Sequence, residues 1–209
     1  MDGEDRRGDP LGRLDAVLVG GIEKRPIEIV DWRPAWPEAY AQHRARIARA
    51  LGNRASRIEH VGSTAVPGLG AKPVIDILVA VADPDDEDSY GPQLTEAGYL
   101  LRVREPGHRM FRTPPRDVHV HVWARGSEDE RRQLLFRDWL RRSDADRRDY
   151  ERTKRRLATR DWPDMNHYAE AKSEVVARIM ARAEAWAAGG GWNVGGEGAG
   201  VASADETAP

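Results

Sequence analysis

Asp76 stands inside Val74-Ile-Asp-Ile-Leu-Val79, a run that is otherwise aliphatic. A lone carboxylate buried in such company is costly, so it must turn away from the core and meet a cation or a set of donors. Side chains alternate along a strand, which places Ile75, Ile77 and Val79 on one face and Asp76 on the other with Val74 and Leu78. Upstream come Gly62 and Ser63, followed by Thr64. A glycine lets the backbone approach a phosphate and a hydroxyl adds one more donor, although an ordinary turn has the same composition. Lys72 lies four residues before Asp76, with Pro73 between to stiffen the approach, and offers an ammonium for a triphosphate. Downstream, Val118-His-Val-His-Val122 puts His119 and His121 on one strand face. Together with Asp76 they could hold a metal, or act as a base and a phosphate donor.

Other residues join this set less specifically. Arg102, Arg104, Arg109, Arg112 and Arg116 surround two hairpin-like strands, and one or two of them, Arg112 foremost, are expected to reach the pocket. His60, on the strand before Gly62, is a third imidazole in the same reading. Lys154, Tyr168 and Lys172, in the helical part, are candidates for contacting a nucleotide base or its phosphates. Arg137 and Asp138 read as an ion pair on an amphipathic helix, and the seven tryptophans as packing anchors.

Ile27–Asp31 alternates like a first strand, and Pro37 opens a helix running to Leu51. Strands are expected at 55–61, 73–81, 99–104, 108–113 and 118–123. A short helix after the acidic run Asp83–Asp88 ends at Gly98. Beyond Gly126 the pattern turns helical, with Ser127 and Glu130 as a capping box and helices near 128–141, 144–160 and 164–187. Strands early and helices late give an α+β fold. The expected organisation is a flexible N-terminus over 1–13, one domain over 14–187, and a disordered Gly/Ala-rich tail over 188–209.

A net charge of −2 gives no general attraction to nucleic acid or anionic lipid. There are no cysteines, which excludes disulfides and thiolate zinc sites. No apolar run has the length of a membrane span, and Met-Asp-Gly-Glu-Asp-Arg-Arg lacks a signal-peptide core. A soluble, cytoplasmic protein is expected, with neither membrane nor nucleic acid as a partner. The sequence does not set its oligomeric state.

Four segments carry a family resemblance: Ile27–Pro37, His60–Asp76, Val118–Val122 and Leu134–Leu140, with weaker continuation through Tyr150–Lys154 and Tyr168–Lys172. The chain resembles the GrpB family of the nucleotidyltransferase (polymerase-beta-like) superfamily over roughly residues 26–180. That resemblance implies a mixed β-sheet of the nucleotidyltransferase type with flanking helices and a helical C-terminal part. It also implies ATP or another nucleoside triphosphate at Gly62 and Ser63, and Mg²⁺ or Mn²⁺ at Asp76. Many active members of the superfamily place a second acid two residues after the first, where this chain has Leu78. The later strand that should bring a third acid offers His119 and His121, with Asp117 at its edge. One metal is therefore expected rather than two. The leading expectation is transfer of a nucleotidyl group to a small acceptor. ATP-dependent ligation or phosphotransfer, and nucleotide sensing without catalysis, are the alternatives.

Overall fold

The computed structural model describes residues 17–194. Helix α1 (Ala35–Leu51) begins just after Pro34, with Pro37 in its first turn where a missing N–H costs nothing. It buries Trp36, Ile47 and Leu51, and ends at Gly52, whose φ of 54° a side chain would resist. The strand expected over 27–31 is reduced to one antiparallel bridge between Val30 and Ala71. Pro73 supplies no N–H to the chain facing Glu28, so that ladder cannot lengthen.

Strands β1 (Arg57–Val61), β2 (Ile75–Val81), β3 (Leu100–Glu105), β4 (His108–Arg112) and β5 (Val118–Ala124) form one mixed sheet in the order β1-β2-β5-β4-β3. The β2–β5 pair is parallel and the other pairs are antiparallel. Between β2 and β3 lies the short helix α2 (Gly91–Glu96). Ile75, Ile77, Val79, Val118, Val120, Val122 and Phe111 form an apolar sheet face. That face packs on Ile47 and Leu51 of α1, on Leu94 of α2, and on the adjoining Tyr90 and Tyr99.

Helices α3 (Glu128–Arg142), α4 (Asp144–Ala158), α5 (Met165–Glu170) and α6 (Ser173–Trp186) make up the C-terminal part. The Ser127 hydroxyl accepts from Glu130 N at 3.2 Å, capping α3 as expected. The Glu130 carboxylate reaches back to Gly126 N and also pairs with Arg57 Nε at 2.9 Å. On the second face of the sheet, Leu134 of α3 covers Val61, Leu78 and Ala80. Asp76, His119 and Arg112 share that face nearer its other end, since Asp76 is paired with His119 and His119 with Arg112.

Two expectations change in the helical part. The helix foreseen over 164–187 breaks at Ala171–Lys172, where Lys172 N donates to Ala169 O at 3.2 Å in a tightened turn. The composition-based tail was placed from residue 188, but Trp192 docks on the body: its Nε1 donates to Asp138 Oδ2 at 3.0 Å and Arg131 lies over its ring. Residues 1–16 and 195–209, and the expectations made for them, lie outside the described residues.

Candidate functional site

Asp76 Oδ1 lies 3.4 Å from His119 Nδ1 and 3.6 Å from His121 Nε2. Ligand atoms from these three residues fall within 4.8 Å of one another, close enough to share one ion. All three keep between 23% and 30% of their side-chain exposure, so the group is accessible. Burial opposes ionisation of Asp76, but hydrogen bonds from the two imidazoles outweigh it and hold the carboxyl well below the usual carboxylate range. One carboxylate with two imidazoles suits a first-row transition ion better than Mg²⁺, which prefers an all-oxygen shell, and Mn²⁺ is the one that also accepts oxygen ligands from a phosphate.

Behind this triad the rings are fixed in a chain. His121 Nδ1 lies 3.2 Å from His108 Nε2, and His108 Nδ1 lies 3.1 Å from Glu105 Oε2. His108 stacks on Trp123 with ring centroids 4.0 Å apart, and its plane lies within 7° of that of His121, whose centroid is 5.4 Å away. For His121 to turn Nε2 toward a cation, its Nδ1 must carry the proton and donate to His108 Nε2. His108 must then donate from Nδ1 to Glu105. A single set of neutral tautomers satisfies every link, which is the outer-shell arrangement that aims metal-binding imidazoles.

Gly62 closes the other side of Asp76. Its φ is 69°, and a Cβ built on it would stand 2.9 Å from Asp76 Cβ; only glycine lets the turn lie against that carboxylate. Ser63 follows in a short 3₁₀ turn over Ser63–Ala65. Arg137 Nη1 donates to His60 O at 2.9 Å, and Arg141 Nη2 donates to Ala65 O at 2.9 Å. The turn is thereby clamped to α3, while Val66 and Leu69 pack against Leu140, Tyr150, Val175 and Ile179 of the helical part.

Three lysines converge here: Lys154 from α4, Lys172 from the break before α6, and Lys72 from the segment leading into β2. Lys154 Nζ donates to Ser63 Oγ at 3.0 Å and to Gly70 O at 2.5 Å, and lies 4.7 Å from the Tyr150 ring centroid. Lys172, delivered by the break before α6, sits 4.7 Å from the centroid of Tyr168, and Lys72 sits 5.3 Å from the same ring. None of the three forms a salt bridge with a carboxylate among the described residues. Burial, reinforced by Lys172, pushes the Lys154 ammonium down to about 7, and burial with Lys72 pushes Lys172 down to about 8. The Tyr168 hydroxyl is buried with no hydrogen-bond partner. Cations crowded together with no carboxylate in salt-bridge contact among the described residues fit a site built for a polyanion.

A cavity of about 400 Å³ opens beside the triad, sharing His119 with it and lined also by Lys72. Its far wall carries Arg102, Arg112 and Arg116 with Glu23. Arg104 and Arg109 are engaged elsewhere, with Glu87 and Asp85.

The site therefore unites Gly62, Ser63, Lys72, Asp76, His119, His121 and Lys172, with Lys154 and Tyr168 added from the helices. Arg112 stands one strand beyond His119 and is tied to Glu23, away from Ser63. Thr64 turns inward: its hydroxyl donates to Val74 O at 3.2 Å and accepts from His60 Nε2 at 3.0 Å. Its expected role in holding a phosphate is corrected to a structural one. His60 leaves the site as well, because strand alternation points it to the opposite sheet face, where it stacks on Tyr40 at 4.7 Å. His108 and Glu105 escaped the sequence reading, since β4 carries no alternation that marks His108 as a neighbour of His121. Glu23 gave no signal at all.

Residues 26–182 match the family described as GrpB protein. A UPF0157 protein of Streptomyces coelicolor is 52% identical over 168 residues, covering 80% of this chain and 90% of that one. The crystal structure of a conserved GrpB protein from Enterococcus faecalis superposes with a TM-score of 0.68 at 29% identity, covering 76% of this chain and 99% of that one. The chain belongs to the GrpB family, and its mixed sheet with flanking helices is the expected α+β architecture. A dephospho-CoA kinase of Mycolicibacterium paratuberculosis is 30% identical over 200 residues, but this chain spans only 49% of it. Among the described residues no helix is long and apolar enough to cross a membrane.

Proposed function

We propose that this protein binds a nucleoside triphosphate at the lysine-lined turn and transfers its nucleotidyl group to a small acceptor seated in the adjoining cavity. The observation that carries this reading is the convergence of Lys72, Lys154 and Lys172, with no salt bridge to a carboxylate among the described residues, beside Ser63 and Asp76. Ammonium groups in that arrangement neutralise polyphosphate charge, and Ser63 Oγ with the unpartnered Tyr168 hydroxyl adds neutral donors. Asp76, His119 and His121 would hold one divalent ion, Mn²⁺ before Mg²⁺. When bound, it would supply Lewis-acid stabilisation of the phosphoryl charge.

The chain's own residues account for the remaining steps. The cavity wall holds the acceptor so that its hydroxyl or amine faces the α-phosphorus, and proximity supplies much of the rate. A bond forms from acceptor to α-phosphorus as the bond to the β-phosphate oxygen breaks, and pyrophosphate leaves with that electron pair. With both imidazoles committed to Asp76, the acceptor's proton passes to a carboxylate on the cavity wall, Glu28 or Asp117. Lys154 and Lys172 stabilise the departing pyrophosphate.

The half-length similarity to a dephospho-CoA kinase supports a nucleotide-related role and keeps phosphotransfer as a second reading. Incubation with α-labelled and γ-labelled ATP, Mn²⁺ and a mixture of small metabolites separates them. Nucleotidyl transfer labels the acceptor from the α-position and releases pyrophosphate. Phosphotransfer labels it from the γ-position and releases ADP. No consumption of any nucleoside triphosphate by the wild-type chain overturns both.

A further inference from the structure

The cavity wall beside His119 already holds a carboxylate belonging to the chain itself. Arg112 grips Glu23 with a two-pronged fork: Nη1 donates to Oε2 at 3.0 Å and Nη2 to Oε1 at 2.7 Å. Arg116 Nη1 approaches the same Oε2 at 3.3 Å. Arg102, 3.9 Å from Glu23, is engaged with the carbonyls of Val19 and Gly21, so it anchors the N-terminal segment instead of serving the cavity. Arg112 and Arg116 are left with one carboxylate between two guanidiniums, at a cavity large enough for a metabolite.

The backbone points the same way. Arg116 is the one non-glycine residue with a positive φ among the described residues, at 67°. Such a conformation is strained for a residue with a Cβ, and residues held in it cluster at binding sites. Here the turn over Thr113–Asp117 places the guanidinium on the cavity rim, where its side chain keeps 40% exposure. A planar fork that binds one carboxylate bidentately will bind another of the same shape.

We infer that the cavity takes a small alcohol or amine carrying a carboxylate, read by Arg112 and Arg116, with Glu23 as the internal group it displaces. As the acceptor of nucleotidyl transfer, this ligand class rests on the function proposed above; the carboxylate site itself does not. With its carboxylate at Arg112, one strand from His119, the far end of a short molecule reaches the triad. Glu23 then acts as a placeholder that keeps the guanidiniums oriented when no ligand is present.

The test needs no turnover. Malonate, succinate and glutarate, their diamides, and inorganic phosphate are titrated into the full chain at constant ionic strength, with binding read by the Nε–Hε NMR signals of the arginines. Succinate or a homologue is expected to shift the Arg112 and Arg116 signals of the wild type. It should bind at least tenfold more tightly to Glu23→Gln, and lose that binding in Arg112→Gln. Arg116→Gln, on a half-exposed side chain, provides the same loss should Arg112→Gln fail to fold. Equal binding of the diamides, preference for phosphate, or affinities indifferent to Glu23→Gln and to both arginine variants overturns the inference. Mn·ATP binding to the same samples reports separately on the nucleotide site, so either proposal can fail alone.

Discussion

His108 Nε2 stands 3.2 Å from His121 Nδ1, and the one set of neutral tautomers that satisfies this contact together with the one to Glu105 leaves the lone pair of His121 Nε2 available to a cation shared with Asp76. His108 is thus a positioning residue. Glu105→Gln, at a half-exposed side chain, is expected to lower Mn²⁺ affinity by about tenfold, and His108→Phe by up to about a hundredfold. Thermal stability without metal should change little in Glu105→Gln. Isothermal titration with Mn²⁺ checks both, and wild-type affinity in both variants would remove the relay from the account.

Gly62 admits no side chain for two independent reasons, its φ of 69° and the closeness of Asp76. Gly62→Ala should destabilise by roughly 1–3 kcal/mol through backbone strain and the displaced carboxylate. Mn²⁺ binding should fall with it, because Asp76 must move. Gly52→Ala also carries a strained φ, but no atom lies within contact of a Cβ there. It should lower the melting temperature while leaving Mn²⁺ affinity intact.

The depressed lysines make nucleotide binding pH-dependent. Free Lys154 and Lys172 lose their protons around 7 and 8, well below the ordinary lysine value. A bound polyphosphate favours the ammonium forms and raises both. Binding therefore takes up protons between pH 7 and 9, and affinity for ATP falls as pH rises through that window. Calorimetry at pH 8 in buffers of different ionisation enthalpy should show net uptake, and Lys154→Met should reduce it. Proton release on binding would contradict the assignment.

His60 sets an acid limit on the fold. Burial holds its imidazole neutral and pushes it down to about 4, below the ordinary value of 6.5. The unfolded chain thus binds a proton that the folded chain refuses, and stability declines as pH drops from 6.5 toward 4, by up to roughly 3 kcal/mol. His60→Gln keeps a donor for Thr64 and removes the titration. Its denaturation midpoint should vary less over that range than the wild type's.

Sequence periodicity located the five sheet strands and the helices α1, α3 and α4 because each buries one side against a core. Alternation over 27–31 predicts a strand where the structure has one bridge, because alternation alone cannot reveal that a facing proline withholds a donor. Asp76, His119 and His121 were legible as a group, since their positions follow from strand alternation once β2 and β5 are neighbours. The displacement of Thr64 and His60 was not: a hydroxyl beside a Gly-Ser turn can face either way, and only the contacts to Val74 and Tyr40 decide it. Lys154 and Tyr168 lie some ninety residues or more beyond Ser63, and no local pattern encodes that approach. The fork of Arg112 on Glu23 likewise depends on a segment with no periodicity of its own.

The central claim is that the lysine cluster and Asp76 together receive a metal–triphosphate, and calorimetric titration of Mn·ATP tests it most directly. The wild-type chain should bind with an affinity that rises with Mn²⁺, Asp76→Asn should keep its fold and lose the metal dependence, and Lys172→Met should bind at least tenfold more weakly. Wild-type protein that binds no nucleoside triphosphate, or an Asp76→Asn chain with undiminished metal-dependent binding, would contradict the account.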